Sequence, residues 1–183
     1  EPPPLDLTLR DSAQTEHFKT QLAADSLMPG HLRLPRGAAV ETLPGFEDGA
    51  WWVQDLAASL PARLLGAGEG RTALDLCAAP GGKTLQLAAQ GWKVTALDIS
   101  KRRLDLLKAN LKRTGLSAGT IRADALKWEP KHRYDAILID APCTATGTAR
   151  RHPDVLHRIG PRQIEELTEL QTALLERAQS WLK

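Results

Sequence analysis

Ten consecutive residues, Asp75-Leu76-Cys77-Ala78-Ala79-Pro80-Gly81-Gly82-Lys83-Thr84, place an acid, a thiol, two adjacent glycines and a lysine within one short span. They follow the apolar run Thr72-Ala73-Leu74 and open into Leu85-Gln86-Leu87-Ala88-Ala89, which reads as strand, glycine turn, helix. Glycine lets a ligand approach the backbone closely, and a helix N-terminus aims its amide donors at that ligand. A second run, Ala136-Ile137-Leu138-Ile139-Asp140-Ala141-Pro142-Cys143, ends a later strand in an acid, a proline and a thiol. A small-molecule cradle and a candidate nucleophile in one α/β unit point to group transfer.

The cradle is not a triphosphate loop. Gly82-Lys83-Thr84 would need a glycine five residues before Gly82, where Cys77 stands, and the GxGxxG dinucleotide fingerprint is absent too. A nucleoside-containing ligand still suits the turn. The acid that holds its ribose hydroxyls should end the next strand about 20 residues on, where Val94-Thr95-Ala96-Leu97 runs into Asp98. The alternative role for Asp98 is helix capping together with Ser100. Asp124 ends the following strand and Asp140 the one after it, so with Asp75 four strands end in acids. Ligands of open α/β sheets bind beyond the carboxyl ends of the strands. Acids in that crevice suit a cationic, hydroxyl-rich ligand, and S-adenosylmethionine has a sulfonium, an amino group and a ribose.

Proline stiffens the loop at Asp140-Ala141-Pro142-Cys143 and fixes where the thiol points. A lone cysteine is most often a buried structural thiol. The strand-end position, Pro142 and Asp140 favour a reactive role, with Arg150 and Arg151 as the positive charges that would lower the thiol pKa. Cys77, inside the turn, reads as packing. The two cysteines lie far apart, with no CxxC and no histidine at ligand spacing, which argues against a zinc site.

The elements that must position these groups follow from 183 residues that are 42% hydrophobic, enough for one domain or one domain plus a piece of another. The net charge of +2 does not decide for or against a nucleic-acid partner. Arg150, Arg151, His152, His157, Arg158 and Arg162 crowd the stretch after Cys143, either as a solvated segment or as an RNA contact. No signal peptide and no apolar run of membrane-spanning length is present, so a cytoplasmic protein with reduced thiols is the default expectation.

Alternating Leu5, Leu7 and Leu9 predict a strand, residues 12–27 a helix with Phe18, Leu22 and Leu27 on one side, and His31 to Thr42 short strands and turns. This gives a small α+β lobe over 1–48, a candidate helper in RNA binding, ahead of a core over 49–183. Gln54 to Leu65 reads as a helix. Strands are expected near 72–76, 93–97, 118–122 and 135–139, and helices near 82–90, 100–113 and 161–182. Such alternation implies a parallel sheet covered by helices. Ile164, Leu167, Leu170, Leu174, Ala178 and Trp181 form the stripe by which the last helix faces the core. A further strand should follow that helix, so the sheet is expected to be incomplete at the C-terminus.

Asp75 to Thr84, Asp98, Asp124 and Asp140 to Gly147 resemble the RNA cytosine-5 methyltransferases of the Sun/Nop2 family. Gly49 followed by Gln54-Asp55 looks like that family's segment before the domain. Arg150-Arg151-His152-Pro153-Asp154 resembles the bacterial members that methylate small-subunit ribosomal RNA. The likeness covers roughly residues 45–183. It implies a Rossmann-like, class I S-adenosylmethionine-dependent sheet. The cofactor would be held by Cys77, Ala78, Ala79, Pro80, Gly81, Gly82, Lys83, Asp98, Arg103, Asp124 and Asp140. Arg150 and Arg151 would contact ribosomal RNA, at a single-stranded or loop cytosine, with no metal and no membrane.

The resemblance also implies a mechanism. A cysteine thiolate adds to C6 of an extruded cytosine, C5 takes the methyl group, a base removes the C5 proton and the enzyme is released. Two cysteines share this work in the family. The nucleophile lies in a Thr-Cys-Ser stretch after the last helix seen here, and the Asp-Ala-Pro-Cys cysteine, Cys143, assists release. Asp140 would contact the cytosine or the methionine amino group, and Lys83 would help position the site. Two alternatives stay open: a methyltransferase that uses Cys143 itself as nucleophile, and a fragment that binds cofactor or RNA without turnover.

Overall fold

A computed structural model describes residues 4–35, 37–149, 152–158 and 160–183. The first sheet is three-stranded, in the order β2-β1-β3, from β1 (Leu5–Leu9), β2 (His31–Leu34) and β3 (Trp51–Val53), all antiparallel. Its core is Leu7, Leu9, Leu32, Leu34, Phe18 and Trp51. The third strand lies past the boundary expected at residue 48. Two tryptophans and a valine favour a strand by type, but three residues are too few to show the alternation that marks one.

The helix expected over 12–27 is α1 (Thr15–Gln21), preceded by a single 3-10 turn over Ser12–Gln14. It cannot run on because Ala23 is left-handed, at φ 46°, and Asp25 bridges back to Arg33. Leu27, expected on its buried side, is exposed.

The second sheet is parallel, in the order β6-β5-β4-β7, from β4 (Thr72–Leu76), β5 (Lys93–Asp98), β6 (Gly119–Arg122) and β7 (Ala136–Ile139). Between them run α2 (Leu56–Leu64), ahead of β4 and N-capped by Asp55, α3 (Gly82–Ala89) and α4 (Lys101–Thr114); α5 (Val155–Arg158) and α6 (Pro161–Ser180) follow. One face packs on α3 and α4 through Ala96, Leu85, Leu104, Leu107 and Leu111. The other buries Leu74, Leu76 and Leu97 against Leu174, Ala178 and Trp181 of α6 and its C-cap. The expected stripe on α6 therefore holds at its C-terminal half, while Ile164 is 48% exposed. Strands buried by helices read as apolar runs, which is why β4, β5 and β7 were visible in the sequence, while the edge strand β6 carries only Ile121 as a large apolar residue.

From β4 the chain steps outward to β5 and β6, then returns to the opposite side of β4 as β7. The carboxyl end of β4 is thus the point where the winding reverses, and a crevice opens there.

The first sheet is fastened to the helices by polar contacts. Arg113 of α4 donates to the Phe46 and Trp51 carbonyls at 2.7 and 3.1 Å, and Arg10 to the Thr114 carbonyl at 2.8 Å. Gly49 is left-handed at φ +62°, and a Cβ there would lie 2.1 Å from the Arg113 carbonyl oxygen, so only glycine admits this approach.

Candidate functional site

The crevice beyond β4 is built by the turn that the sequence singled out. Cys77 and Gly81 both take positive φ, at 59° and 110°, which reverses the chain between β4 and α3. A Cβ on Gly81 would sit 2.2 Å from Leu107 Cδ1, so glycine is what lets α3 start against α4.

Asp98 ends β5, is 2% exposed and ties the turn to the next helix. One carboxylate oxygen accepts from the Ala79 amide at 3.1 Å and the other from the Ser100 amide at 2.8 Å. Ser100 itself is the N-cap of α4 and accepts from the Arg103 amide. The capping role is therefore present, and the carboxylate also lines the pocket. Arg103 donates to the Ala79 carbonyl and lies 3.9 Å from Asp98.

The pocket has a volume of about 150 Å³ and brings together Cys77, Asp98, Ile99, Arg103, Asp124 and Leu126, closed on one side by Pro142, Leu170 and Leu174. Asp124 accepts from the Leu126 amide at 3.0 Å, which folds the loop after β6 across the opening. Acids at the rim and apolar walls beside them match a ligand with a hydroxyl-rich part and a flat apolar part. Ile99 and Leu126 escaped the sequence reading. Their signal was position, since each follows a strand-end acid by one or two residues.

Lys83, in the first turn of α3, donates to Asp140 at the end of β7 at 2.6 Å. This pair spans adjacent strand ends, with the lysine largely covered and the aspartate half-exposed. Behind it Asp75 is completely buried and accepts from the Thr84 hydroxyl at 2.5 Å, while its other oxygen has no hydrogen-bond partner. Burial pushes this carboxyl up to about 7, against the opposing effects of the Thr84 bond and Lys83.

The two thiols differ. Cys77 is half-buried, and burial together with the nearby Asp98 pushes it up to about 11, so it stays protonated and unreactive. Cys143 is exposed on the loop after β7, where its sulfur accepts weakly from the Ala145 amide at 3.4 Å. Arg150 and Arg151, expected to activate it and to touch RNA, lie outside the described residues. Of the rest of that basic stretch, Arg162 is paired with Glu166 on its own helix at 3.0 Å. Among the described residues no group of three histidine, cysteine, aspartate or glutamate side chains is placed to hold a metal, and no helix is long and apolar enough to cross a membrane.

A buried network that the sequence did not announce supports α3 from behind. Gln54 accepts from Trp52 Nε1 at 2.8 Å and donates to Gln86 Oε1 at 2.6 Å; the Gln86 side chain donates to the Ser59 backbone carbonyl at 3.1 Å. Gln86 interrupts the apolar string Leu85-Gln86-Leu87, and a polar residue inside such a string was the available clue.

The sequence model of the 16S rRNA methyltransferase RsmB/F family matches residues 62–183. The ribosomal RNA small subunit methyltransferase B of Citrobacter koseri is 43% identical over 156 residues, which is 82% of this chain and 36% of that protein. The chain thus spans about a third of the length of the curated relatives it matches. Among solved structures, PH0851 is 29% identical with a TM-score of 0.92, over 100% of this chain and 45% of that one. NSun6 from Pyrococcus horikoshii, solved with SFG, is 32% identical with a TM-score of 0.73, over 83% of this chain and 41% of that one.

Proposed function

The chain belongs to the 16S rRNA methyltransferase RsmB/F family, and from that premise we propose that it carries the cofactor half of an enzyme that methylates C5 of a cytosine in ribosomal RNA with S-adenosylmethionine. The observation that carries this reading is the meeting of Asp98 and Asp124 on one pocket, with the Lys83–Asp140 pair at the neighbouring strand ends where the sheet reverses. The NSun6 structure with SFG, an S-adenosylmethionine analogue, supports the choice of cofactor.

The residues present fit that cofactor. Asp98 offers a buried carboxylate whose oxygens keep lone pairs for the ribose hydroxyls, and Asp124 stands at the adenine end. Ile99 and Leu126 supply apolar walls, and the turn from Cys77 to Lys83, of which Cys77 lines the pocket, is assigned to the methionine part. Arg103 acts indirectly by fixing the Ala79 carbonyl. S-adenosylmethionine supplies a methyl group on a sulfonium sulfur, which cytosine C5 takes once a cysteine thiolate has added to C6. Lys83 holds Asp140 at the crevice mouth, where that carboxylate meets the cytosine or the methionine amino group.

Cys143 is the thiol at the mouth and assists release of the product; Cys77 stays a neutral packing group. Its exposure also favours a second reading, with Cys143 as the nucleophile. The substrate is RNA with an unstacked cytosine, because base edges and faces are reached in single strands and loops. Arg150 and Arg151 are assigned to that RNA, the sheet of β1 to β3 is assigned as an accessory lobe, and the cytoplasm, where ribosomal RNA is, as the place of action.

The test uses a longer protein that includes the Thr-Cys-Ser stretch implied by the resemblance: it is incubated with labelled S-adenosylmethionine and small-subunit ribosomal RNA, and the label is located by nucleoside mass spectrometry, while the 183-residue chain alone should transfer no methyl group. Label on C5 of cytidine is expected; label on another base or another atom overturns the assignment. With ordinary cytosine RNA, Cys143→Ser in that longer protein should accumulate a covalent adduct if Cys143 serves release; with RNA carrying 5-fluorocytosine it should abolish trapping if Cys143 is the nucleophile.

A further inference from the structure

The positive charge of the chain is concentrated on α4. Its 14 residues hold six basic side chains and one acid, Asp105, whereas the other 169 residues hold 18 basic against 21 acidic. Two of the six have structural partners: Arg103 fixes the Ala79 carbonyl and Arg113 the Phe46 and Trp51 carbonyls. The other four, Lys101, Arg102, Lys108 and Lys112, are exposed. Asp105 is bonded by Lys101 at 3.0 Å, and that bond, with a smaller pull from Lys108, holds its carboxyl below the ordinary value. Among the described residues no acidic partner stands against Arg102 or Lys112.

Lys112 and Arg113 suit the last turn, where the macrodipole favours cations, but the rest of the pattern works against the helix that carries it. Lys101, Arg102 and Arg103 occupy the first turn, where the macrodipole is positive, and no acid accompanies them there. Lys108 and Lys112 are spaced i, i+4, which sets like charges side by side. A merely solvated face gains from alternating signs. A local rule broken without a structural return marks a functional surface.

Position gives the function. α4 starts at the pocket, directly after Asp98 and Ile99, and its C-terminal end docks on the first sheet through Arg113 and Thr114. Its length is about 21 Å. One strand, β4, separates β5 from β7, so the start of α4 lies about 10 Å across the sheet from Asp140. We propose that the outer face of α4, formed by Lys101, Arg102, Lys108 and Lys112, is a track for the phosphates of single-stranded RNA, leading from the crevice mouth toward the first sheet. This rests on the RNA reading above and assigns the flanking strand to a surface that carries no catalytic group.

The test compares the 183-residue chain with Arg102→Ala/Lys108→Ala/Lys112→Ala together, and with a control, Lys19→Ala/Lys131→Ala/Arg133→Ala, that removes the same charge from other elements. A fluorescent single-stranded RNA is titrated by anisotropy at 50 to 200 mM salt. Each phosphate contact contributes roughly −0.7 to the log–log salt slope on single strands, so three lost contacts flatten it by about 2. Across that fourfold range of salt the α4 variant should lose roughly twentyfold less affinity than the unmodified chain. The control should keep the original slope. The α4 variant should also unfold at the same or a slightly higher urea concentration, since it relieves repulsion and adds a strong helix former.

An unchanged slope in the α4 variant, equal flattening in both variants, or a loss of stability in the α4 variant would each overturn the proposal while leaving the RNA reading intact. Absence of RNA binding by the unmodified chain is a separate result, which removes the RNA reading and this inference with it.

Discussion

Asp75→Asn isolates one buried charge beneath the proposed cofactor site. In the folded chain the carboxyl is pushed up from 3.8 to about 7, chiefly by burial, with one oxygen bonded to Thr84 and the other without a partner. Between those two values the unfolded chain has released this proton and the folded chain still holds it. The unfolded state then binds one proton fewer, so stability falls as pH rises, by about 1.4 kcal/mol per pH unit. Over about three units the loss amounts to about 4 kcal/mol and is complete near pH 7.

Asparagine accepts from Thr84 as the acid does but cannot ionise. Its amide leaves a buried donor unpaired, an offset of about 1–3 kcal/mol that does not vary with pH. Urea unfolding of both proteins at half-unit steps from pH 4.5 to 8.5 measures the difference directly. The stability of the unmodified protein minus that of Asp75→Asn should fall steadily up to about pH 7 and then level off. Parallel curves, or a difference that grows with pH, would show that Asp75 is ionised in the fold and would refute the reasoning.

Other substitutions test the remaining supports. Gly81→Ala drives a Cβ to 2.2 Å from Leu107 at a φ of +110°, so backbone strain and overpacking should together cost about 2–5 kcal/mol in urea unfolding. An unchanged midpoint would mean that the turn relaxes freely. Gln54→Leu leaves Trp52 Nε1 and Gln86 Oε1 without their partner, a loss of about 2–5 kcal/mol by the same measurement. His31 is fully buried, and burial lowers its pKa although Asp6, 3.5 Å away, works the other way. The unfolded chain then binds the extra proton, so this residue's contribution is present above about pH 6.5 and is lost as pH falls. His31→Gln should flatten the acid limb of a stability–pH curve, and an unaltered limb would assign it to other groups.

The parallel sheet was legible because β4, β5 and β7 are short, mainly apolar runs with an acid at or near their ends, and the helical stretches between them fixed the place of β6. The antiparallel sheet was half-legible: alternating Leu5, Leu7 and Leu9 gave β1, but Trp51–Val53 is too short for the alternation that separates a strand from a buried turn. Ala23 defeated the helix expected over 12–27, since a left-handed alanine has no sequence signature. Within the site, the strand-end acids and the glycine turn could be placed from spacing, whereas the roles of Lys83 and Asp140 came from the resemblance and their bond, across 57 residues, was not foreseen. The Gln54–Gln86 bond could not, because 32 residues separate its partners and only the docking of one sheet on another's helices brings them together. Asp98 shows why capping and ligand binding were poor alternatives: a buried carboxylate has enough lone pairs for two amides and a ligand.

The account rests on Asp98 at the head of a cofactor crevice, and calorimetric titration of S-adenosylhomocysteine into the unmodified chain and into Asp98→Ala measures that most directly. Removing a charge-assisted contact to the ribose should cost about 1.5–3 kcal/mol, a loss of affinity of roughly 10- to 150-fold, while Lys131→Ala binds like the unmodified chain. Equal affinity in the Asp98→Ala and unmodified proteins would contradict the placement of the cofactor.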